Sequence, residues 1–316
     1  MENDSPMTSF VVPLFNTGGS LPLLVEAFRK LDLPESWELV LVDDGSTDGT
    51  GERARQMLQA LPATVTLVEM ARNFGEHAAV LEGYRHARGQ FVVNLDDDLQ
   101  NPLSEAVKLI EHLRETDAEV VYSSYGEKRH HWARNLGSRL ANAVATVLLD
   151  KPKGLYLSSF RALRRELMLR IVTYRGPYPY IDGLIVGATN RIGRLDVTHV
   201  QRAVGSSTYT LRKLAQLMSN LMFDFSIVPL RLATVLGVLL CVLGAFMVGD
   251  VLVETLVIGK VQAGWGSLMA AITVFSGAQL LILGLIGEYV GRAFLTVSGK
   301  PQSLVRSVTV HDPVTP

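Results

Sequence analysis

Three adjacent carboxylates, Asp96, Asp97 and Asp98, end an apolar run, and the amide of Gln100 follows two residues later. Neighbouring carboxylates repel each other, so this arrangement opposes folding unless the charge has a use. One use is to cap the next helix, because carboxylates accept hydrogen bonds from its free N–H groups. Another is to bind a hard divalent cation, which takes carboxylate and amide oxygens as ligands. Three acids with an amide favour Mg²⁺ or Mn²⁺, with Asp96, Asp98 and Gln100 as ligands.

A second acidic cluster, VDDGSTDGT at residues 42–50, also follows an apolar run. Asp43 or Asp44 can accept hydrogen bonds from a nucleoside, and Gly45 permits a sharp turn. The alternative is an ordinary loop in which the Ser-Thr-Asp that follows caps the next helix. Neither cluster contains the glycine-rich motif of dinucleotide-binding or P-loop folds. A cation on the first cluster would then neutralise the phosphates of a nucleotide held between the two clusters.

Alternating strand-like and helix-like segments position both clusters. Short β-rich runs such as TSFVVPLF and WELVLVDD each lead into a segment with helical spacing of apolar residues. Further helices are predicted over 77–87 and 103–113. Strands that alternate with helices indicate an α/β fold with a mostly parallel sheet, and ligands bind such sheets at the carboxyl ends of strands. Both acidic clusters fall at strand ends, so they can share one cleft.

The apolar residues are concentrated toward the carboxyl end of the chain. Of the 316 residues, 48% are hydrophobic, and the formal net charge of -1 offers no basic field for nucleic acid. Two uncharged runs, over 232–249 and 261–287, predict transmembrane helices over 230–253 and 264–290, because about 18 to 20 apolar residues cross the hydrocarbon core of a bilayer. Buried core helices are the alternative. The single Cys241 excludes an internal disulfide.

The charges that flank the two apolar runs predict their orientation. Arg231 precedes the first run, and Arg292 and Lys300 follow the second. The connection between the runs holds Asp250, Glu254 and a single basic residue, Lys260. By the positive-inside rule, the α/β part and both termini face the cytoplasm. The first residues, MENDSPMTS, lack the apolar core of a secretory signal, so no cleaved signal is expected.

Seven motifs occur in a characteristic order along the chain. They are VVPLFN at 11–16, VDDGSTDGT at 42–50, ARNFGEHAAVLEG at 71–83, LDDDLQNP at 95–102, SSFRALRRE at 158–166, RAVGSSTYT at 202–210 and GEYVGR at 287–292. With the two apolar runs, this order resembles family 2 glycosyltransferases of the GT-A fold. It is most similar to the membrane-anchored polyprenyl-phosphate glycosyltransferases, which include dolichol-phosphate mannose synthases and bacterial undecaprenyl-phosphate sugar transferases.

The resemblance implies an activity, a location and an assembly. The implied reaction is the inverting transfer of a sugar from a nucleotide diphosphate sugar to a polyprenyl phosphate such as undecaprenyl phosphate, with Mg²⁺ or Mn²⁺. The implied location is the cytoplasmic face of the bacterial inner membrane, and a homo-oligomer is expected. A glycosyltransferase acting on another acceptor and a non-catalytic membrane scaffold are the competing functions.

The resemblance also assigns site residues by their place in the matching motifs. Asp96, Asp98 and Gln100 match the metal ligands, and Arg161 and Arg202 match arginines near phosphates. Asp98 and these two arginines are therefore the expected catalytic residues, with a surface ion pair as the alternative for each arginine. Nucleotide-sugar contacts are expected at Pro13, Phe15, Asn16, Asp43, Asp44, Arg72, Asn73, Asp96 and Asp97.

The acceptor is expected to bind at Arg202, Ser206, Lys128 and Arg129. The basic segment EKRHHWAR at 127–134 can attract anionic lipid or the acceptor phosphate, or it is a solvated charge run. RKLAQLMSNLMFDF predicts an interfacial amphipathic helix over 206–229, with core packing as the alternative. The predicted order is a flexible segment 1–7, a GT-A domain 8–205, this helix, the two spans and a cytoplasmic tail 291–316.

Two further expectations concern mechanism. The second pKa of a phosphate monoester lies near 6, so an acceptor phosphate is mostly a dianion at neutral pH and can attack without a catalytic base. Asp182 is accordingly expected to contribute little to the rate; helix capping is its favoured role, and a contact with the sugar is the alternative. Because both acidic clusters precede residue 206, a chain that ends near Tyr209 is expected to bind nucleotide.

Overall fold

The computed structural model describes residues 6–125, 155–176, 178–198, 228–253, 256, 264–299 and 303–313. The chain forms two compact units, Met1–Leu214 with Lys300–Pro316, and Ala215–Gly299. Several predictions lie outside the described residues. They concern Lys128, Arg129, Arg202, Ser206 and most of the interfacial helix predicted over 206–229.

The first unit is built on one eight-stranded sheet. Its strands are β1 (Thr8–Leu14), β2 (Trp37–Asp43), β3 (Thr64–Met70), β4 (Phe91–Asn94), β5 (Val120–Ser124), β6 (Arg161–Arg164), β7 (Ile192–Asp196) and β8 (Val305–His311), in the order β7-β5-β6-β4-β1-β2-β3-β8. The four central strands β4, β1, β2 and β3 are parallel, whereas β6 is antiparallel to β4 and β5, and β8 is antiparallel to β3. The carboxyl ends of β1, β2, β3 and β4 therefore meet at one edge.

Helices cover both faces of this sheet, as predicted for an α/β fold. They are α1 (Leu21–Arg29), α2 (Thr50–Met57), α3 (Glu76–His86), α4 (Leu103–Glu115), α5 (Arg165–Ile171) and α6 (Ile181–Ala188). Successive residues of a strand point to opposite faces, so Phe10 and Val12 of β1 join one core cluster while Val11 joins the other. Phe28 of α1 packs in the first cluster and Tyr84 of α3 in the second, which fixes the helices against the two faces.

The second unit contains two long apolar helices, α7 (Val228–Val253) and α8 (Trp265–Val297). Each is long and apolar enough to cross a membrane, with the most apolar windows at Val228–Met247 and Val274–Val297. α8 runs past the predicted boundary at residue 290. Its charges pair along the helix, with Arg292 Nε 2.8 Å from Glu288 Oε1. The helix ends where Gly299 takes a left-handed conformation with a φ of +65°.

The prediction of a simple tail over 291–316 is wrong for residues 305–311. Residues Val305–His311 form β8, the edge strand beside β3. The sequence VRSVTVH is rich in β-branched residues, which favour a pleated strand. The sheet of the first unit is thus completed by a segment that follows both apolar helices in the chain.

Candidate active site

The loops after β1 and β2 are joined by hydrogen bonds of Asn16. Its side-chain Oδ1 accepts from the backbone N–H of Thr47 at 2.9 Å, and its own N–H donates to Ser46 Oγ at 2.9 Å. Asn16 takes a left-handed φ of +53°, which an asparagine tolerates better than most residues. Its neighbour Phe15 is 49% exposed, so the loop presents an aromatic ring to solvent at the strand-end edge. The predicted contact Pro13 is half-buried within β1.

The acidic pair after β2 is buried and bonded to backbone. Asp44 is 3% exposed, and its two oxygens accept from the N–H groups of Phe74 at 2.7 Å and Gly75 at 2.8 Å, just before α3 begins. Burial raises the pKa of Asp44, although these two hydrogen bonds act in the opposite direction. Asp43 accepts from the N–H of Ser46 at 3.1 Å. The structure therefore shows Asp44 fastening the loop before α3.

The loop after β3 lies against the turn after β2. Gly45 has a φ of +65°, and a Cβ atom there would lie 2.6 Å from the backbone N of Asn73, so only glycine fits. Arg72 and Asn73 are both exposed. The Arg72 guanidinium lies 4.2 Å from the centroid of the Phe74 ring, a cation–π arrangement that orients its charge. The predicted nucleotide contacts after β1, β2 and β3 are therefore brought to one edge of the sheet.

The three acids after β4 are half-buried and held by specific hydrogen bonds. Ser159 Oγ donates to Asp96 Oδ2 at 2.6 Å, and the backbone N–H of Gln100 donates to Asp98 Oδ1 at 3.1 Å. Between the latter two, Leu99 has a φ of +54°, an unfavourable conformation for a branched side chain. Such a tight turn carries an energetic cost, and it brings Asp98 and Gln100 close together.

The donor set of this turn fits a divalent cation that is completed by other ligands. Within the part of the chain that the structure describes, no group of three or more His, Cys, Asp or Glu side chains is arranged as a metal site. Asp96, Asp98 and Gln100 nevertheless offer two carboxylates and an amide. Mg²⁺ is commonly bound in this way, by one or two carboxylates with substrate phosphates and water filling the other positions.

Arg161 is buried and paired with a carboxylate, and its predicted place near a substrate phosphate stays a prediction. It is 1% exposed and forms an ion pair with Asp182, which also accepts a hydrogen bond from the Tyr122 hydroxyl at 3.0 Å. Arg161 is buried because it belongs to the antiparallel strand β6, which lies in the sheet between β4 and β5. Asp182 is likewise buried and serves as the counter-ion rather than as a simple cap.

Glu76 and His77, the first two residues of α3, have no role predicted from the sequence. Burial raises the pKa of Glu76 to about 7, although part of the side chain is exposed, and the negative charge of Asp96 adds to the effect. Burial lowers the pKa of His77 to about 4, and its ring packs edge-on against Tyr180 with centroids 4.8 Å apart. The available signal was their position directly after the Arg-Asn-Phe-Gly segment that follows β3.

This sheet, with acidic turns after β2 and β4 at its ligand-binding edge, has the architecture of a GT-A glycosyltransferase. The chain belongs to glycosyl transferase family 2, whose family model matches residues 9–171. It is therefore an enzyme of the glycosyltransferase class, as the sequence predicted. The resemblance and the fold class inferred from the sequence are both confirmed.

Relatives of known name match almost the whole chain. The undecaprenyl-phosphate 4-deoxy-4-formamido-L-arabinose transferase of Proteus mirabilis is 32% identical over 308 residues, covering 95% of this chain and 93% of that protein. The enzyme of the same name from Pseudomonas aeruginosa PAO1 is 33% identical over 311 residues, covering 97% and 91%. Among solved structures, a mycobacterial protein aligns with a TM-score of 0.51 at 19% identity, over 69% of this chain and 72% of that chain, and this likeness concerns the fold alone.

Proposed function

We propose that the chain transfers a sugar, with inversion, from a nucleotide diphosphate sugar to undecaprenyl phosphate. The observation that carries this proposal is the similarity to undecaprenyl-phosphate sugar transferases across at least 95% of the chain, including both apolar helices. The acidic turns at one sheet edge supply a site of the right chemistry. Because the Proteus and Pseudomonas relatives bear the same name, 4-deoxy-4-formamido-L-arabinose is the first donor sugar to test.

The proposed donor site has a nucleoside end and a phosphate end. At the nucleoside end, the exposed Phe15 and Arg72 flank the loops that Asn16 and Asp44 hold in place. At the phosphate end, Asp96, Asp98 and Gln100 would hold Mg²⁺ or Mn²⁺. A divalent cation there would neutralise the charge that develops on the departing nucleoside diphosphate.

The proposed mechanism needs no side chain to remove a proton from the acceptor. A phosphate monoester is mostly a dianion at neutral pH and attacks the anomeric carbon directly. The lowered pKa of His77 keeps its ring neutral at pH 7 in the absence of substrate. The chain's own task is then to bring two phosphorylated substrates together in the correct geometry.

The proposed setting is a membrane, with the sheet on its cytoplasmic side. α7 and α8 are long and apolar enough to span a bilayer, and the basic residues outside the pair favour a cytoplasmic location for both termini. The acceptor phosphate is proposed to meet the basic residues predicted from the sequence, Lys128, Arg129 and Arg202, together with the hydroxyl of Ser206. A bacterial inner membrane and a homo-oligomer remain proposals.

The test uses the full-length chain in lipid nanodiscs with Mg²⁺ and a panel of nucleotide sugars. Undecaprenyl phosphate and undecaprenol serve as matched acceptors, and the lipid products are analysed by mass spectrometry. We expect one sugar to be transferred to undecaprenyl phosphate and none to undecaprenol, because only the phosphate supplies a nucleophile that is already ionised. Transfer to undecaprenol at a similar rate, or transfer only to a glycolipid, polysaccharide or protein acceptor, would contradict the proposal. No transfer from any donor would favour the scaffold.

A further inference from the structure

The C-terminal strand β8 pairs with the part of β3 that leads into the nucleoside end of the site. The antiparallel register pairs Val68 with Val308 and Glu69 with Ser307, and it shifts before Met70, which pairs with Val305. Such an irregularity re-aims the chain locally. β8 therefore contacts β3 at its carboxyl end, the end at which ligands bind in this class of sheet.

Ala71, the residue before Arg72, forms hydrogen bonds through both of its backbone polar groups with the C-terminal segment, which comprises residues 303–311. The N–H of Ala71 donates to the carbonyl oxygen of Leu304 at 2.7 Å. Its carbonyl oxygen accepts from Arg306 Nη2 at 2.9 Å. The position of the loop that carries Arg72 thus depends on residues that lie more than 230 positions later in the chain.

A second connection runs from β8 to Glu69, which is the partner of Asp43 across the parallel strands β2 and β3. Ser307 Oγ donates to Glu69 Oε2 at 2.7 Å, and Arg55 of α2 pairs with the same carboxylate. A Cβ atom at Gly51 of α2 would lie 3.0 Å from Glu69 Oε1 and 2.5 Å from Asp43 Oδ2, so the two acids flank one glycine. Partial burial opposes ionisation of Glu69, but the bonds from Arg55 and Ser307 prevail and lower its pKa.

A third connection anchors the start of the C-terminal segment to α3. Ser303 Oγ donates to Glu82 Oε2 at 2.7 Å and accepts from Arg85 Nη1 at 3.3 Å. α3 begins at Glu76, directly after the N–H groups that Asp44 binds. The C-terminal segment is therefore fastened to β3, to the carboxylate shared with α2, and to α3.

We infer that β8 is a built part of the nucleoside end of the site, with Arg306 and Ser307 as positioning residues for Arg72 and Asp43. The inference rests on the nucleotide site of the proposed function and deepens it. It also modifies the expectation that a chain ending near Tyr209 binds nucleotide: that truncation removes β8 together with the apolar helices, so we expect such a chain to bind nucleotide more weakly than the full-length chain.

The inference predicts weaker nucleotide binding when either side chain is removed. Ser307→Ala and Arg306→Ala are made in the full-length chain in nanodiscs, and UDP and GDP binding is measured by calorimetry, using whichever binds the wild type more tightly. We expect each variant to raise Kd about fivefold, the effect of losing one ordinary hydrogen bond. The sugar-transfer rate at saturating donor should change less than about twofold.

Two matched variants distinguish an effect on the position of the nucleotide contacts from a general loss of folding stability. Ser307→Thr keeps the hydroxyl and should restore wild-type affinity. Val310→Thr changes an exposed side chain of the same strand to one of nearly equal shape, four residues from Arg306, and should leave Kd unchanged. Unfolding temperatures are measured in parallel for all four variants.

Unchanged Kd values in both Ser307→Ala and Arg306→Ala would overturn the inference. So would losses that Val310→Thr shares, or losses that follow the unfolding temperature and reduce the saturated rate equally. The Kd of the nucleotide is measured without any acceptor. Weakened nucleotide binding in a chain that transfers no sugar to undecaprenyl phosphate would therefore support the inference while refuting the proposed acceptor.

Discussion

The acids after β2 and the acids after β4 look alike in the sequence but have different surroundings. Asp43 and Asp44 are at most 6% exposed; Asp43 accepts from a backbone N–H of its own loop, and Asp44 accepts from two N–H groups of the loop before α3. Asp96 and Asp98 are half-buried, and they are oriented by the hydroxyl of Ser159 and the N–H of a tight turn. Two similar acidic clusters at one edge of the sheet thus differ in burial and in their hydrogen-bond donors.

The difference indicates that Asp44 supports the loop before α3, whereas the acids after β4 are proposed to act on a ligand. A buried carboxylate that satisfies backbone N–H groups is costly to remove, because those donors are then left unpaired. A half-buried carboxylate on a turn can be altered with little loss of stability, and it remains within reach of a cation. The two clusters should therefore respond oppositely to the same aspartate-to-asparagine change.

The largest expected effect on activity is at the acids after β4. Asp98→Asn should reduce sugar transfer at least 10²-fold, comparable to losing a key electrostatic group at a reacting centre, while the unfolding temperature stays within a few degrees. Asp97→Asn is the matched control and should lose less than about tenfold. Equal losses in the two variants, or full wild-type activity in excess chelator, would refute a role for a metal at Asp98.

A third acid extends the comparison to full burial. Asp182→Asn leaves the Arg161 guanidinium charged, buried and without its counter-ion, so we expect about 3–5 kcal/mol of destabilisation. Asp117→Asn is the control, because Asp117 pairs with Arg191 but its side chain is 88% exposed, and exposed pairs contribute at most about 1 kcal/mol. Denaturant unfolding of the two variants in detergent gives the comparison. Similar unfolding midpoints would show that the buried pair is not structural.

Asp44→Asn should destabilise the chain by about 1–3 kcal/mol, because Asp44 accepts from Phe74 and Gly75 through different oxygens and the amide replaces one of these oxygens with an NH2 group, which cannot accept. Asp96→Asn is the matched change in the other cluster. It retains an oxygen that can accept from Ser159, so its unfolding temperature should be close to that of the wild type. A chain with Asp44→Asn that unfolds at the wild-type temperature would remove the distinction between the clusters.

The smallest expected effect is a pH-dependent one at Glu76. Its pKa in the folded chain, about 7, lies above the ordinary value of 4.5, so the folded state binds the proton more tightly than the unfolded state. Ionisation then reduces stability as pH rises from about 4.5 through 7. Glu76→Gln should consequently raise the unfolding temperature at pH 8 and change it little at pH 5. An equal change at both pH values would contradict the raised pKa.

Local patterns were sufficient to predict the elements that carry the site. The helices predicted over 77–87 and 103–113 are present as Glu76–His86 and Leu103–Glu115, and both acidic clusters follow strands. Apolar periodicity and strand-end acids are short-range signals, and they determine which residues meet at the edge of a parallel sheet.

Long-range pairings could not be predicted in the same way. Arg161 was expected to face phosphates, but its counter-ion Asp182 is 21 residues away and reaches it only because β6 runs antiparallel into the sheet. Ser307 is separated from Glu69 by 238 residues and by both apolar helices. No local pattern shows that a segment after the last helix returns to complete the first unit, so the C-terminal strand was interpreted as a tail.

The most direct test of the contrast between the two acidic clusters is Mn²⁺ binding in the presence of a nucleoside diphosphate, followed by electron paramagnetic resonance. It compares the wild type, Asp98→Asn and Asp44→Asn at a temperature at which all three are folded. We expect Asp98→Asn to bind Mn²⁺ at least tenfold more weakly than the wild type, and Asp44→Asn to bind it with nearly wild-type affinity. Normal Mn²⁺ binding by Asp98→Asn, or its loss in folded Asp44→Asn, would contradict the assignment of Asp98 to the cation and of Asp44 to the support of the fold.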